Sequence, residues 1–161
     1  MTFTGTFTAL VTPFNKDGSV DYSALRSLVQ WQVENGVNGL VPVGTTGESP
    51  TLEFQEHIKV INTTVEAASG KAAIIAGTGA NSTAEAIELT REILNAGVDA
   101  TLQVTPYYNK PNAEGLYRHF VAVADLGLPV VLYNVPGRAG KEIPLDVVVR
   151  LASHPIVAAI K

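Results

Sequence analysis

Short apolar runs rich in Val, Ile, Leu and Ala recur along the chain: residues 7–11, 39–43, 73–76, 100–104, 129–133 and 156–160. They are continuous rather than alternating, the pattern of parallel strands buried on both faces. Between them lie segments with a helical period. The clearest begins at Ser82-Thr-Ala-Glu85, which reads as a capping box, carries Ile87, Thr90, Ile93 and Leu94 on one face, and closes at Gly97. Another runs from about Asp21 to Asn35-Gly36. Strand starts fall about 30 residues apart, the length of a βαβ unit, so the repeat predicts an α/β fold with a parallel sheet. Two architectures satisfy it, an open doubly wound sheet and a closed (β/α)8 barrel.

Length and composition sharpen the choice. The 161 residues suit one domain, yet only 16% are charged and 46% are hydrophobic, against roughly 25% charged in ordinary soluble domains. A lone globule would be short of charge for its surface, so a partner subunit or more of its own chain is expected to cover part of it. A barrel needs about 250 residues. On that reading the chain supplies the first five βα units and the sixth strand, and residues 1–161 are the N-terminal part of a single barrel domain.

Other counts exclude functions. Eleven Lys and Arg against fifteen Asp and Glu give a net charge of −4, without the basic footprint of a nucleic-acid binder. There is no cysteine, hence no disulfide, thiolate metal site or cysteine nucleophile. Met1–Phe14 shows no leader pattern and no apolar run approaches the roughly 18 residues of a bilayer span, so a soluble, unprocessed, cytoplasmic protein is expected. His57, His119 and His154 fall in segments read as helical, without a metal-binding spacing, and no metal is expected.

Gly, Thr, Tyr, Asn and Arg collect just after the strands, at Gly44-Thr-Thr-Gly-Glu-Ser49, Gly77-Thr-Gly-Ala-Asn-Ser82, Thr105-Pro-Tyr-Tyr-Asn109 and Tyr133-Asn-Val-Pro-Gly-Arg138. Both parallel architectures place ligands at the carboxyl ends of strands. Neither glycine loop carries the third glycine of a dinucleotide turn, and Gly137-Arg-Ala-Gly-Lys141 lacks the spacing of a P-loop. Lys161 follows an apolar strand; a desolvated amine there would be a neutral nucleophile able to form a Schiff base, whereas a solvated lysine past a strand would do nothing. Tyr133 ends the preceding strand, and strands about 4.8 Å apart would let the two side chains meet and exchange protons. Thr45 or Thr46, and Tyr107 or Tyr108, offer further hydroxyls. Arg138 could hold a carboxylate with two hydrogen bonds.

In order and spacing these segments resemble the dihydrodipicolinate synthase family, within the pyruvate-dependent class I aldolase and N-acetylneuraminate lyase superfamily. The resemblance implies a (β/α)8 barrel in which Lys161 forms the Schiff base with pyruvate and needs no other cofactor. It assigns proton transfer to Tyr133 with Thr45 and Tyr108, the pyruvate carboxylate to Thr46, and the carboxylate of L-aspartate 4-semialdehyde to Arg138. The implied reaction is aldol-like condensation of the two substrates in the diaminopimelate and lysine pathway. The implied assembly is a homotetramer, a dimer of dimers, in which Tyr108 enters the neighbouring subunit's site. Ser49, His57, Asn81, Glu85 and Tyr107 match a lysine feedback site at the tight dimer interface. Pro50 and Phe54 depart from that site and argue against feedback inhibition.

Two rivals remain at this stage. A sister lyase acting on sialic acid or a 2-keto-3-deoxy sugar acid would keep Lys161 and Tyr133; the Thr45-Thr46 pair and Arg138 favour the condensation. A non-catalytic fragment or assembly subunit is the other. A true terminus at Lys161 would set a carboxylate beside the amine, so the chain is expected to continue past it.

Overall fold

A computed structural model describes residues 3–161; Met1 and Thr2, the start of the segment read as lacking a leader, lie outside the described residues. The chain divides into two compact units. One contains residues 3–77 together with Ile93–Asp99, and the other contains Thr78–Glu92 and Ala100–Lys161.

In the first unit three parallel strands pair in order, β1 (Phe7–Ala9), β2 (Gly39–Val41) and β3 (Ala73–Gly77). Helix α1 (Tyr22–Glu34) starts where Asp21 accepts a hydrogen bond from the Ala24 amide at 2.8 Å, which satisfies one of the orphan donors of a helix start. It ends at Asn35-Gly36, where the sequence places its stop. Leu25 and Val29, four residues apart, are its fully buried side chains. Helix α2 (Phe54–Ala68) buries His57, Val60, Ile61 and Thr64 on the matching stripe.

The second unit repeats the device with β4 (Ala100–Val104), β5 (Val130–Tyr133) and β6 (Val157–Ile160), again parallel and paired in order. Helix α4 (Ala113–Ala124) lays Leu116, Phe120 and Val123 on Val130 and Leu132 of β5, and α6 (Leu145–Ala152) adds Val147 and Leu151 to that core. A four-residue helix, α5 (Pro136–Ala139), lies between β5 and α6. Helix α3 (Thr83–Ile93) begins with Ser82 Oγ accepting from the Glu85 amide at 3.4 Å, one half of the expected capping box.

Three expectations need correction. The buried stripe of α3 runs through Ala86, Leu89, Thr90 and Ile93, with Leu94 exposed, so the helical face is rotated by about one residue. His154 lies in the turn after α6, not in a helix, and faces Asp125 at 3.3 Å. Strands β2 to β5 are buried as their continuous apolar runs predict, but β1 and β6 are half-exposed. Each of these two pairs on one side only among the described residues, and a strand with one neighbour keeps a wetter face.

The shortage of charge shows on α6, where Leu145 and Val149 are 78% and 60% exposed one turn apart. No helix is long and apolar enough to cross a membrane among the described residues.

His119 on α4 is the exception in this core. Its Nδ1 lies 2.8 Å from Thr83 Oγ1, its ring meets Phe120 edge to face, and its Nε2 is buried without a partner among the described residues. Burial holds its pKa down, to about 4 from 6.5. The neutral ring is therefore the folded form, and the unfolded chain binds the proton first as pH falls. Stability is complete above about 6.5 and declines toward 4, by on the order of 3 kcal/mol in total. Urea unfolding of the full-length protein at a series of pH values should show this loss, and His119→Asn should flatten it. An unchanged slope in the variant would contradict the assignment.

Candidate active site

The register of β6 on β5 decides where Lys161 stands. Val130 pairs with Val157, but Val131 pairs with Ala159 and Leu132 with Ile160, so Ala158 is an extra residue absorbed at a bulge. Regular pairing from Val157 would set Ile160 level with Tyr133. With the bulge, Lys161 takes that place, and the backbone confirms it: the Lys161 amide donates to Leu132 O at 2.8 Å and the Asn134 amide donates to Lys161 O at 2.9 Å. The Lys161 Nζ then lies 4.5 Å from the centroid of the Tyr133 ring.

Tyr133 is held from the other side as well. Its carbonyl accepts from both the amide and the Oγ1 of Thr105, at 3.0 and 3.1 Å. Lys161 is exposed among the described residues, at the end of the half-exposed β6. The structure supplies an amine beside a phenol at the carboxyl ends of adjacent strands.

Asn134 links this pair to Arg138. Its Oδ1 accepts from the Ile143 amide at 3.1 Å and closes the loop that carries α5. Arg138 lies in α5 and is exposed.

The loop after β4 is strained. Tyr108 and Lys110 have φ of +70° and +45°, a left-handed backbone that costs a residue with a Cβ about 1–2 kcal/mol. Such strain persists where the surroundings over-determine it and gathers at functional sites. Asn109 Nδ2 donates to Asn81 O at 3.1 Å, tying this loop to the one after β3. Tyr108 is 90% exposed, whereas Tyr107 is half-buried. Burial first, and then the carboxylate of Glu85, push the Tyr107 phenol up, against a smaller opposing bond from the Asn81 backbone. Asn81, Glu85 and Tyr107 are thus neighbours.

Beneath these loops lies a buried polar cluster that sequence reasoning missed. Gln103 Nε2 donates to Thr78 Oγ1 and Thr101 Oγ1 at 2.8 and 2.7 Å, and Thr78 also bonds Thr90. All four side chains are completely buried. The available signal was Thr101 and Gln103 at alternate positions of an otherwise apolar strand, which puts two polar side chains on one face.

In the first unit the loop after β2 is equally constrained. Val43, a β-branched residue, has φ +54° and Glu48 has φ +58°. Between them Thr45–Gly47 form a single 3-10 turn, anchored by Thr12 Oγ1 donating to Gly47 O at 2.7 Å. Thr45 is half-buried and Thr46 exposed. A methyl group on Gly77 would lie 2.0 Å from Val43 O, so only glycine lets this loop close over the end of β3. The Gly77 carbonyl accepts from Nε2 of His57, 2.6 Å away, and burial pushes the His57 pKa down. His57 is therefore a neutral strut between α2 and β3. Ser49, two residues past Gly47, is half-buried.

Comparison with known proteins agrees with this arrangement over nearly the whole chain. Residues 2–161 match the model of the "Dihydrodipicolinate synthetase family". The 4-hydroxy-tetrahydrodipicolinate synthase of Bradyrhizobium diazoefficiens is 54% identical over 160 residues, which is 99% of this chain and 54% of the relative. The dihydrodipicolinate synthase of Acinetobacter baumannii, solved in complex with pyruvate, superposes with a TM-score of 0.97 at 53% identity, over 99% of this chain and 55% of that one. The Aquifex aeolicus enzyme superposes at 0.96 with 46% identity, over 99% and 55%. The chain thus spans about half the length of the curated relatives it matches. Its fold is that of these (β/α)8 barrels, and β1 to β6 with their helices correspond to the first five βα units and the sixth strand. By sequence and by fold, the chain belongs to the dihydrodipicolinate synthetase family.

Proposed function

We propose that the full-length protein condenses pyruvate with L-aspartate 4-semialdehyde, as a 4-hydroxy-tetrahydrodipicolinate synthase of the diaminopimelate and lysine pathway. The observation that carries this is the Lys161 amine beside the Tyr133 ring, set by the β5–β6 register, in a chain whose solved neighbour holds pyruvate. Residues 1–161 are then the N-terminal part of one barrel domain.

The chemistry follows from an amine and a phenol. The Lys161 amine attacks the keto carbon of pyruvate. Tyr133 delivers a proton to the carbinolamine oxygen, water leaves, and a Schiff base forms. Loss of a methyl proton gives the enamine, whose carbon adds to the aldehyde of the second substrate as the aldehyde oxygen takes a proton. The substrate's own amine then displaces Lys161 and closes the ring. Lysine supplies the electron sink, so no cofactor is needed. Thr45 and Tyr108 extend the proton path from Tyr133. Thr46, with the amides of its turn, receives the pyruvate carboxylate, and Arg138 receives that of the aldehyde.

A tyrosine 90% exposed in a strained loop is what a residue shared between subunits looks like before assembly. We therefore read Tyr108 as entering a neighbouring subunit's site in a homotetramer, a dimer of dimers working in the cytoplasm. Ser49, His57, Asn81, Glu85 and Tyr107 retain the positions of a lysine feedback site. Phe54 removes a hydrogen-bonding group there and Pro50 removes an amide donor, so inhibition by lysine is expected to be absent.

Borohydride reduction of the full-length protein with pyruvate should add one pyruvate-derived group, mapped by peptide mass to Lys161; an unmodified Lys161 would refute the mechanism. Tyr133→Phe should lower kcat by about 10²–10⁴-fold, the usual worth of a positioned proton donor, while reduction still traps some adduct. A wild-type kcat in this variant would remove Tyr133 from the proton path. Preferential cleavage of a sialic or 2-keto-3-deoxy sugar acid over the condensation would overturn the choice of reaction.

A further inference from the structure

Lys110 stands in the strained loop after β4, at φ +45°, two residues after the strained Tyr108. A left-handed backbone is an unfavourable place for a lysine that merely solvates a surface. Its side chain reaches the Arg138 loop. A methyl group built on Gly140 would lie 3.0 Å from Lys110 Cε and 3.7 Å from its Nζ. Gly140, itself at φ +66°, caps α5 two residues after Arg138. The bare glycine therefore leaves the space that Lys110 fills.

Among the described residues Lys110 is in no ion pair and donates no side-chain hydrogen bond, and Arg138 is in no ion pair either. The acidic residue within this loop, Glu142, is exposed and two residues beyond Gly140. Lys110 thus lies against the loop that carries Arg138, and among the described residues neither cation has an ion-pair partner, which leaves both charges for an anion.

We propose that Lys110 is a specificity-determining residue, a second cation that acts with Arg138 on the carboxylate-bearing aldehyde. This rests on the function proposed above. It assigns the contact to the second substrate and none to pyruvate, because the approach of Lys110 is to Gly140 in the Arg138 loop. A single carboxylate then meets Arg138 through paired hydrogen bonds and Lys110 through charge.

The test uses the full-length protein in its native assembly, with Lys110→Met, which keeps the length of the side chain without its charge. Lys110→Gly removes the amine while relieving the backbone, so it separates charge from loop geometry. Both variants should raise the KM for aspartate semialdehyde by about fivefold, the scale of a partly screened charge contact, and leave the KM for pyruvate and the borohydride-trapped Lys161 adduct unchanged. Lys110→Arg should restore the wild-type KM. Added salt should raise the aldehyde KM of the wild type more than that of Lys110→Met. An unchanged aldehyde KM in both variants, or an equal rise for both substrates, would overturn the proposal while the wild-type turnover upholds the function. A wild type that forms the adduct but does not condense the aldehyde would overturn both.

Discussion

One extra residue in β6 carries more consequence than any other local feature. Ala158 is absorbed at a bulge, and the pairing that follows sets Lys161 level with Tyr133. Side chains on a strand alternate faces, so a one-residue slip changes both the level and the direction of the last side chain. Everything proposed for the amine depends on that register. It is fixed by the backbone hydrogen bonds from Lys161 to Leu132 and from Asn134 to Lys161, while Thr105 holds the Tyr133 carbonyl from the β4 side.

Within each unit the chain concentrates strain and close approach in its post-strand loops. Val43 and Glu48 after β2, and Tyr108 and Lys110 after β4, all hold left-handed backbones. The restraints that over-determine them are identifiable: Thr12 on Gly47, the Val43 carbonyl against Gly77, His57 on the Gly77 carbonyl, and Asn109 on Asn81. The buried Thr78–Thr90–Thr101–Gln103 cluster lies under the loop after β3, where hydrogen bonds give directional restraint that apolar packing lacks. Neutral histidines suit the same purpose, since a buried ring that stayed charged would work against the packing that holds it.

The strand and helix order was legible because burial on both faces leaves continuous apolar runs, and because Asp21, Ser82 and Asn35-Gly36 punctuate the helices where orphan backbone groups need partners. The clustering of Thr, Tyr, Asn and Arg after strands exposed the candidate site for the same reason: these residues interrupt an otherwise apolar repeat. What was not legible depends on pairing between segments distant in sequence. No local signal separates Ala158 from Ala159 as the bulged residue. The α3 stripe was misplaced by one residue because Ile87 and Leu94 are as apolar as the Ala86 and Leu89 that face the core. Lys110 gave no sequence signal, since its reach to Gly140 crosses thirty positions of chain and depends on an absent side chain.

If register rather than the mere presence of a lysine makes the nucleophile, moving the amine by one position should abolish it. The direct measurement is pyruvate adduct formation under borohydride in the full-length double variant Ile160→Lys with Lys161→Ala, compared with Lys161→Ala alone. The amine then stands level with Leu132 and on the opposite face of β6, and the yield should fall to that of the single variant. An adduct at position 160 in wild-type yield would contradict the account.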